Sequence, residues 1–325
     1  MIDKVCVIGA GSSGITAVKA LKEAGVPFDC FEMGSNIGGN WRYNNDNGRS
    51  AAYASLCIDT SKDRMAYSDF PMPEDYPNFP HHSQVLEYFE QYADHFDLRR
   101  HVTCRTQVQR VMPAANGGYD VTVTFLESGE SRTQQYRAVL VCNGHHWNPN
   151  TPQFPGQFDG KTLHSRHYRT PDPFHGKNVL IIGIGNSGVD LACDIAPAAR
   201  QVFLSTRRGA HIIPRFILGR PTDKWVTEQG SRLPFALQRL LYRILLLVEV
   251  GNQEKYGVPR PAHPLLSEHP TMSAEFLQTV DSGAIKMKPN VQQLAGQQIR
   301  FVDGSAETID TIIYATGYKI TFPFL

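Results

Sequence analysis

The chain has 325 residues, enough for about two domains that each bury a full core. Its 32 Lys and Arg nearly cancel its 31 Asp and Glu, which excludes a strongly basic nucleic-acid binder and an acidic disordered tail. At 41% hydrophobic and 19% charged it has the composition of a globular protein, and no apolar run approaches the roughly 18 residues that a membrane span requires.

In chain order, an apolar strand at 5–8 leads into Gly9-Ala-Gly11-Ser12-Ser13-Gly14 and then a helix over 15–24 with Ile15, Val18 and Leu21 on one face. Gly25 is the expected C-cap, and a second strand over 26–31 closes on Glu32. Such a β-α-β unit has parallel strands and a right-handed crossover. No basic n-region, apolar h-region and cleavage site precede it, so a cytoplasmic location is expected. Residues 33–80 are rich in Gly, Asn, Asp and Pro, and a loop of that length is usually functional.

Ser83 is the expected N-cap of a helix running to Asp97, with Val85, Phe89, Tyr92 and Phe96 on its apolar face. From 102 to 141 the period changes to two, which predicts a β-meander ending in the apolar strand 138–142. A Pro- and His-rich linker over 145–175 precedes a second β-α-β unit, 174 residues after the first. It comprises strand 178–182, Gly183-Ile-Gly185-Asn186-Ser187-Gly188, a helix to Ala196 and strand 201–204. Residues 209–275 are irregular except for an apolar helix from Pro234 to Val250. Its apolar residues surround most of the circumference, which predicts burial in the protein or at a homodimer interface. A final hairpin over 299–302 and 308–314 runs into Ala315-Thr316-Gly317-Tyr318. The fold class is α/β, with two dinucleotide-binding, Rossmann-like units and a β-meander.

A glycine triplet alone is weak, but both copies here follow an apolar strand and open a helix, the context the motif requires. Gly9 permits the tight turn, Gly11 admits a pyrophosphate to the backbone, and Gly14 lets the helix pack on the strand; Gly183, Gly185 and Gly188 repeat the pattern. Ser12, Ser13 and Ser187 lie inside these turns and read as phosphate donors rather than nucleophiles. Glu32, 23 residues after Gly9, is placed to accept from an adenosine ribose. The same offset from Gly183 falls on Thr206, within Ser205-Thr206-Arg207-Arg208, where a missing acid and added cations suit a 2′-phosphate. One plain ribose and one phosphorylated ribose point to FAD and NADPH. Six cysteines, no two closer than 24 positions, form no C-x-x-C, and the histidine pairs lack acidic or cysteine neighbours at ligand spacing; no metal site and a reducing compartment are expected.

With these turns in place, the chain resembles the flavin-containing monooxygenase family, the class B flavoprotein monooxygenases, over nearly its whole length. Phe158, Gly160, His164 and Tyr168 fit that family's F-x-G-x-x-x-H-x-x-x-(Y/F) signature. The stretch from Leu56 to Lys62, continuing to Ser68-Asp-Phe-Pro71, resembles its flavin-side segment, and Gly38-Gly39-Asn40-Trp41 and Ala315 to Tyr318 match as well. The resemblance implies an FAD domain over 1–155, an inserted NADPH domain with a helical insert over 156–285, and a return to the FAD domain over 286–325. It implies FAD contacts from Gly9, Gly11, Gly14, Glu32, Gly39, Asn40, Trp41 and Thr60, with the Val108 backbone at the adenine. It likewise implies NADPH contacts from Asn186, Ser187, Ser205, Thr206 and Arg207. Taken alone, Trp41 reads as a core aromatic and Asn40 as a turn residue.

The implied activity is NADPH-dependent oxygenation of a small amine or sulfide by O2 through a C4a-hydroperoxyflavin, the flavin rather than a protein nucleophile carrying the chemistry. Baeyer–Villiger oxidation of a ketone is the nearest alternative; Tyr168 speaks against it, since that group's signature ends in Trp, and Asp59 speaks mildly for it. An NADPH–flavin oxidoreductase and a non-catalytic nucleotide-binding module are further alternatives. The chain departs from the family at Asp59, where Asn is usual, and in stopping eight residues after Gly317, for which the expectation is either a truncated chain or a missing surface supplied by a partner. Beside a reduced flavin an ionised Asp59 would be repelled, so a neutral Asp59 that donates a hydrogen bond is expected; otherwise it caps the turn through Thr60 and Ser61.

The ribose-end residues generate a first prediction. A charge-assisted bond to a phosphate contributes on the order of 1.5–3 kcal/mol. Arg207→Ala therefore raises the KM for NADPH by about one to two decades and hardly alters that for NADH in steady-state assays. Equal use of the two coenzymes by the unmutated protein would overturn it.

Overall fold

The structure, a computed structural model, describes residues 3–325. Strand β1 (Val5–Ile8) is buried at every position, as a parallel strand covered on both faces must be. Helix α1 (Ser12–Glu23) follows across the first glycine turn, and β2 (Phe28–Phe31) returns parallel to β1. The long loop holds only a 3-10 turn at Gly39–Trp41 and the short helix α2 (Lys62–Met65).

Helix α3 (His82–His95) begins two residues before the expected start, because His81 rather than Ser83 caps it. The His81 ring accepts from the Ser83 amide and the Gln84 side chain accepts from the His81 amide, a reciprocal pair that satisfies two first-turn donors. Val85, Tyr88, Phe89 and Tyr92 of α3 pack with Val7, Ile15 and Val18 in the first core.

Strands β3 (Val102–Thr103), β4 (Thr106–Pro113), β5 (Tyr119–Phe125), β6 (Ser131–Tyr136) and β7 (Ala138–Val141) complete this lobe. The parallel sheet has the order β3-β2-β1-β7, and β4-β5-β6 is an antiparallel meander packed on it through Val108, Val121, Val123 and Tyr136. The meander thus ends at Tyr136; β7 joins the parallel sheet beside β1.

The second lobe opens with β8 (Gly156–Phe158) and β9 (Lys161–His164), followed by β10 (Asn178–Ile182), α4 (Asn186–Ile195) and β11 (Gln201–Ser205). Next come the two-residue strands β12 (Ile212–Ile213), β13 (Phe216–Ile217) and β14 (Arg220–Pro221), then α5 (Glu228–Ser231) and α6 (Phe235–Glu249). Strand β15 (Thr271–Met272), helix α7 (Phe276–Asp281) and strands β16 (Ile285–Lys288), β17 (Val291–Gly296), β18 (Gln298–Phe301), β19 (Ala306–Thr308) and β20 (Thr311–Tyr314) follow.

The central parallel sheet has the order β16-β11-β10-β20-β9, and the small sheet β19-β18-β17-β8 covers one of its faces. These pairings shift the expected domain boundary. Residues 286–314 stay with the second lobe: the expected hairpin forms between β18 and β19, but 311–314 leave it as β20, which hydrogen-bonds to β10 and β9. The chain re-enters the first lobe only at its last residues, where Phe324 packs beside Cys6 and Val108 and its carbonyl accepts from the Val111 amide at 2.6 Å.

Of the two expectations for helix α6, burial within the protein does not hold. None of its residues is buried: Tyr242, Leu245 and Leu246 are half-buried, whereas Leu240, Ile244, Leu247 and Val248 are exposed, so much of its apolar girth finds no cover among the described residues. No helix among the described residues is long and apolar enough to cross a membrane.

Two glycines let helices α1 and α4 approach the strands before them. A Cβ on Gly14 would lie 1.9 Å from the Gly9 carbonyl oxygen, and one on Gly188 would lie 2.1 Å from that of Gly183. A Cβ on Gly185 meets nothing within 4 Å. Gly188→Ala should therefore cost about 3 kcal/mol in urea unfolding, since α4 must move off its strand, whereas Gly185→Ala should be close to neutral. Equal losses for the two variants would contradict the packing described.

Candidate functional site

A cavity of about 1340 Å³ lies between the lobes, and both glycine turns open into it. That exceeds the roughly 300–1,000 Å³ of a single drug-sized site. On the first side Gly9, Gly11, Ser12 and Ser13 form the wall. Helix α1 starts there with no side-chain cap and no acid in its first turn, so its free amides and positive dipole end face the cavity. A Cβ on Gly39 would come within 3.0 Å of the Gly11 Cα, which shows how closely the Gly39–Trp41 turn approaches the first loop.

Glu32 is buried at the end of β2 and lines the cavity. Its Oε2 accepts from the Ala10 amide at 2.8 Å, and its Oε1 accepts from the Gly34 amide at 2.7 Å and the Asn47 side chain at 3.2 Å. The carboxylate thereby braces the glycine turn it faces. Asn40 accepts from the Ala51 amide at 2.9 Å, holding a turn, while Trp41 both packs on the first core and lines the cavity. At Val108 a bulge shifts the register of β4 against β5, and Gln107, Val108 and Gln109 reach the wall there. Thr60 is not part of that wall.

On the second side the wall includes Gly185, Asn186 and Ser187, at the equally uncapped start of α4. Gly14, Gly183 and Gly188 stand behind the wall and shape the two turns. The segment His269-Pro270-Thr271 also lines the cavity. It is clamped across the second turn: the Thr271 hydroxyl donates to the Ile184 carbonyl at 2.7 Å and the Met272 amide to Asn186 Oδ1 at 2.9 Å. Sequence reasoning missed this clamp because a two-residue strand carries no periodic signal. At the end of β11 the Ser205 hydroxyl is buried and donates to the Pro289 carbonyl, and Thr206 Oγ1 accepts from the Gly209 amide. Arg207 is exposed and forms no ion pair among the described residues, whereas Arg208 pairs with Glu268 at 3.2 Å.

A group of charges meets between the two turns. Asp59 lines the cavity with its Oδ1 3.2 Å from the Arg215 guanidinium. Burial raises its carboxyl above the ordinary value and Arg215 opposes the rise, so the Asp59 expected from sequence to stand as a lone neutral acid has a cation beside it. Nor does it cap α2: the Ser61 amide bonds Asp223 Oδ2 at 2.7 Å instead. Asp190, on the cavity side of α4, was not foreseen. Its Oδ2 accepts from the Tyr53 hydroxyl at 2.9 Å, joining the two lobes. Burial, aided by the nearby Asp59 charge, pushes its pKa up to about 7. Only its i+4 spacing from Asn186 places it on the same helix face.

Comparison with known proteins agrees with this architecture. Residues 2–325 match the family described as flavin-binding monooxygenase-like. Flavin-containing monooxygenase 5 of Rattus norvegicus is 42% identical over 336 residues, covering 99% of this chain and 63% of the relative. Dimethylaniline monooxygenase (N-oxide-forming) 2 of Macaca mulatta is 39% identical over 339 residues, with 100% and 63% coverage. This chain thus spans 63% of the length of these curated relatives. Among solved structures, S-allyl-L-cysteine S-oxygenase from Allium sativum superposes with a TM-score of 0.71 at 25% identity, over 99% of this chain and 64% of that one. An NADP-bound steroid monooxygenase shares the fold with a TM-score of 0.69 at 21% identity, over 98% of this chain and 71% of that one.

The Asp190 carboxyl yields a stability prediction. Its pKa in the folded protein lies above the unfolded value, so folding takes up a proton. The associated stability is complete below about pH 4 and is lost as pH rises through about 7. Asp190→Asn keeps an acceptor for Tyr53 and removes that loss. Its stability relative to the native protein should therefore improve by on the order of 2–4 kcal/mol between about pH 5 and about pH 8 in urea unfolding. A difference that does not change with pH would contradict the burial described.

Proposed function

The chain belongs to the flavin-binding monooxygenase-like family, and from that premise we propose that it binds FAD at its first glycine turn and NADPH at its second, and oxygenates a soft nitrogen or sulfur nucleophile with O2. The observation that carries this reading is the shared cavity, into which two uncapped helix N-termini open from opposite lobes. The relatives' own names support the substrate class: one forms N-oxides and another oxygenates the sulfur of S-allyl-L-cysteine.

When bound, FAD and NADPH supply the redox chemistry: NADPH, a proton, O2 and the substrate give NADP⁺, water and the oxygenated product. The protein binds, orients and keeps the cleft dry. The first-turn amides of α1, with Ser12 and Ser13, hold the FAD pyrophosphate, and Glu32 accepts from its ribose without leaving the bonds that brace the turn. Gly39, Asn40 and Trp41 close over that turn, and the bulged backbone at Val108 faces the adenine. Amides at Gly185, Asn186 and Ser187 hold the NADPH pyrophosphate, and Thr206 and the exposed Arg207, at the end of β11 and outside the cavity wall, take the 2′-phosphate. Ser205 supports the second segment from behind the wall, its hydroxyl bonded to the Pro289 carbonyl. The six free cysteines suit a reducing, cytoplasmic setting, and the exposed apolar face of α6 suits a second copy of the chain.

The test is to supply the FAD-loaded protein with NADPH, air and, in separate reactions, a tertiary amine, a thioether and a cyclic ketone. Formation of an N-oxide or sulfoxide carrying one atom of labelled O2 is the expected result. A lactone alone would replace the reading with ketone oxidation, and peroxide without oxygenated product would replace it with an oxidase. Failure to bind flavin would overturn it outright.

A further inference from the structure

Helix α4 presents one face to the cavity: Asn186 and Ser187 at its start and, one turn on, Asp190 and Leu191. Asp190 is the one ionisable side chain that this helix contributes to the cavity wall among the described residues. Its Oδ2 accepts from Tyr53, and its Oδ1 accepts no hydrogen bond from the described residues.

The charges around it do not balance it. Asp59 shares the wall and already holds Arg215, the cation of this group. Asp194, one turn further along α4, is bonded by the Tyr168 hydroxyl and adds negative charge. The Cys57 and Cys193 thiols nearby are both raised by burial and stay neutral, and His269 faces Asp59 from the opposite segment. Apart from Glu32 and Arg49 elsewhere in the wall, Asp59 and Asp190 thus act on each other with one guanidinium, Arg215, beside them.

A nicotinamide coenzyme changes one charge there. Its oxidised ring is a cation, its reduced ring is neutral, and its phosphates and riboses are the same in both forms. We propose that Asp190 governs which redox form of the coenzyme the cleft holds, its carboxylate serving as counter-charge to the oxidised ring and its neutral acid accommodating the reduced one. This rests on the second glycine turn binding NADPH, as proposed above. Burial sets the carboxyl to change charge near pH 7, with Asp59 adding to that rise and Tyr53 and Arg215 opposing it. Binding of the oxidised form then releases a proton from Asp190, and by linkage its affinity grows as pH rises.

The experiment uses the FAD-loaded protein and two probes, NADP⁺ and the tetrahydro analogue of NADPH, whose ring is neutral and gives up no hydride. Calorimetric titration from about pH 5.5 to about pH 8.5 should show the ratio of the two affinities moving about tenfold toward NADP⁺, the equivalent of a one-unit change in pKa on binding. The 2′-phosphate titrates near pH 6 in both probes and cancels from the ratio. Asp190→Asn should flatten the ratio. Tyr53→Phe should keep the slope but move its midpoint to higher pH, because the lost hydroxyl favoured the carboxylate. A ratio independent of pH in the native protein, or an unchanged slope in Asp190→Asn, overturns the proposal while leaving coenzyme binding intact. Binding of neither probe at any pH overturns it together with the function proposed above.

Discussion

Close approach of a helix to the strand before it, permitted at Gly14 and again at Gly188, is the constraint on which the rest of this molecule depends. At both places a backbone carbonyl occupies the position a side chain would need. Only that contact lets α1 and α4 begin at the ends of β1 and β10 with their first-turn amides aimed outward. The apolar faces of both helices then bury themselves on their sheets, through Ile15 and Val18 in one lobe and Val189 and Leu191 in the other. Burial fixes the helices, and the fixed helices carry two positive dipole ends into one space.

Charge within that space is arranged in layers. Each outer end offers backbone donors suited to phosphate, whereas the middle holds the carboxylates Asp59 and Asp190. One cation, Arg215, compensates the first of them, and a phenol from the opposite lobe bonds the second. Burying a carboxylate without a cation favours its neutral form. The middle of the cavity can therefore change charge near neutral pH while its ends stay fixed.

The long loop over 33–80 makes this arrangement possible. It has almost no secondary structure of its own, and its backbone groups are met across the lobes: Ala54 bonds the Arg169 carbonyl and Ser61 bonds Asp223. The loop is a seam rather than a linker. It brings Tyr53 and Asp59 from the first lobe against Asp190 and Arg215 of the second.

Local chemistry made much of this legible in the chain itself. The two glycine turns, their flanking strands and the bounds of β10 follow from short-range rules of period and backbone space, and these need no knowledge of distant residues. The same rules drew attention to Asp59, because one residue type in one motif is visible without a fold. They could not place β20, an apolar strand whose own pattern suits the second arm of a hairpin and a parallel sheet equally; hydrogen bonding to β10 and β9 settled which. They left α6 either buried in the protein or at an interface between copies, because a helix apolar on all sides reads the same whichever neighbour covers it. Arg215 lies 156 residues from Asp59 and Asp190 lies 137 from Tyr53, so no local pattern couples either pair. Folding alone brought them together, since the partner of a charge is set by the path of the whole backbone and not by its neighbours in the chain.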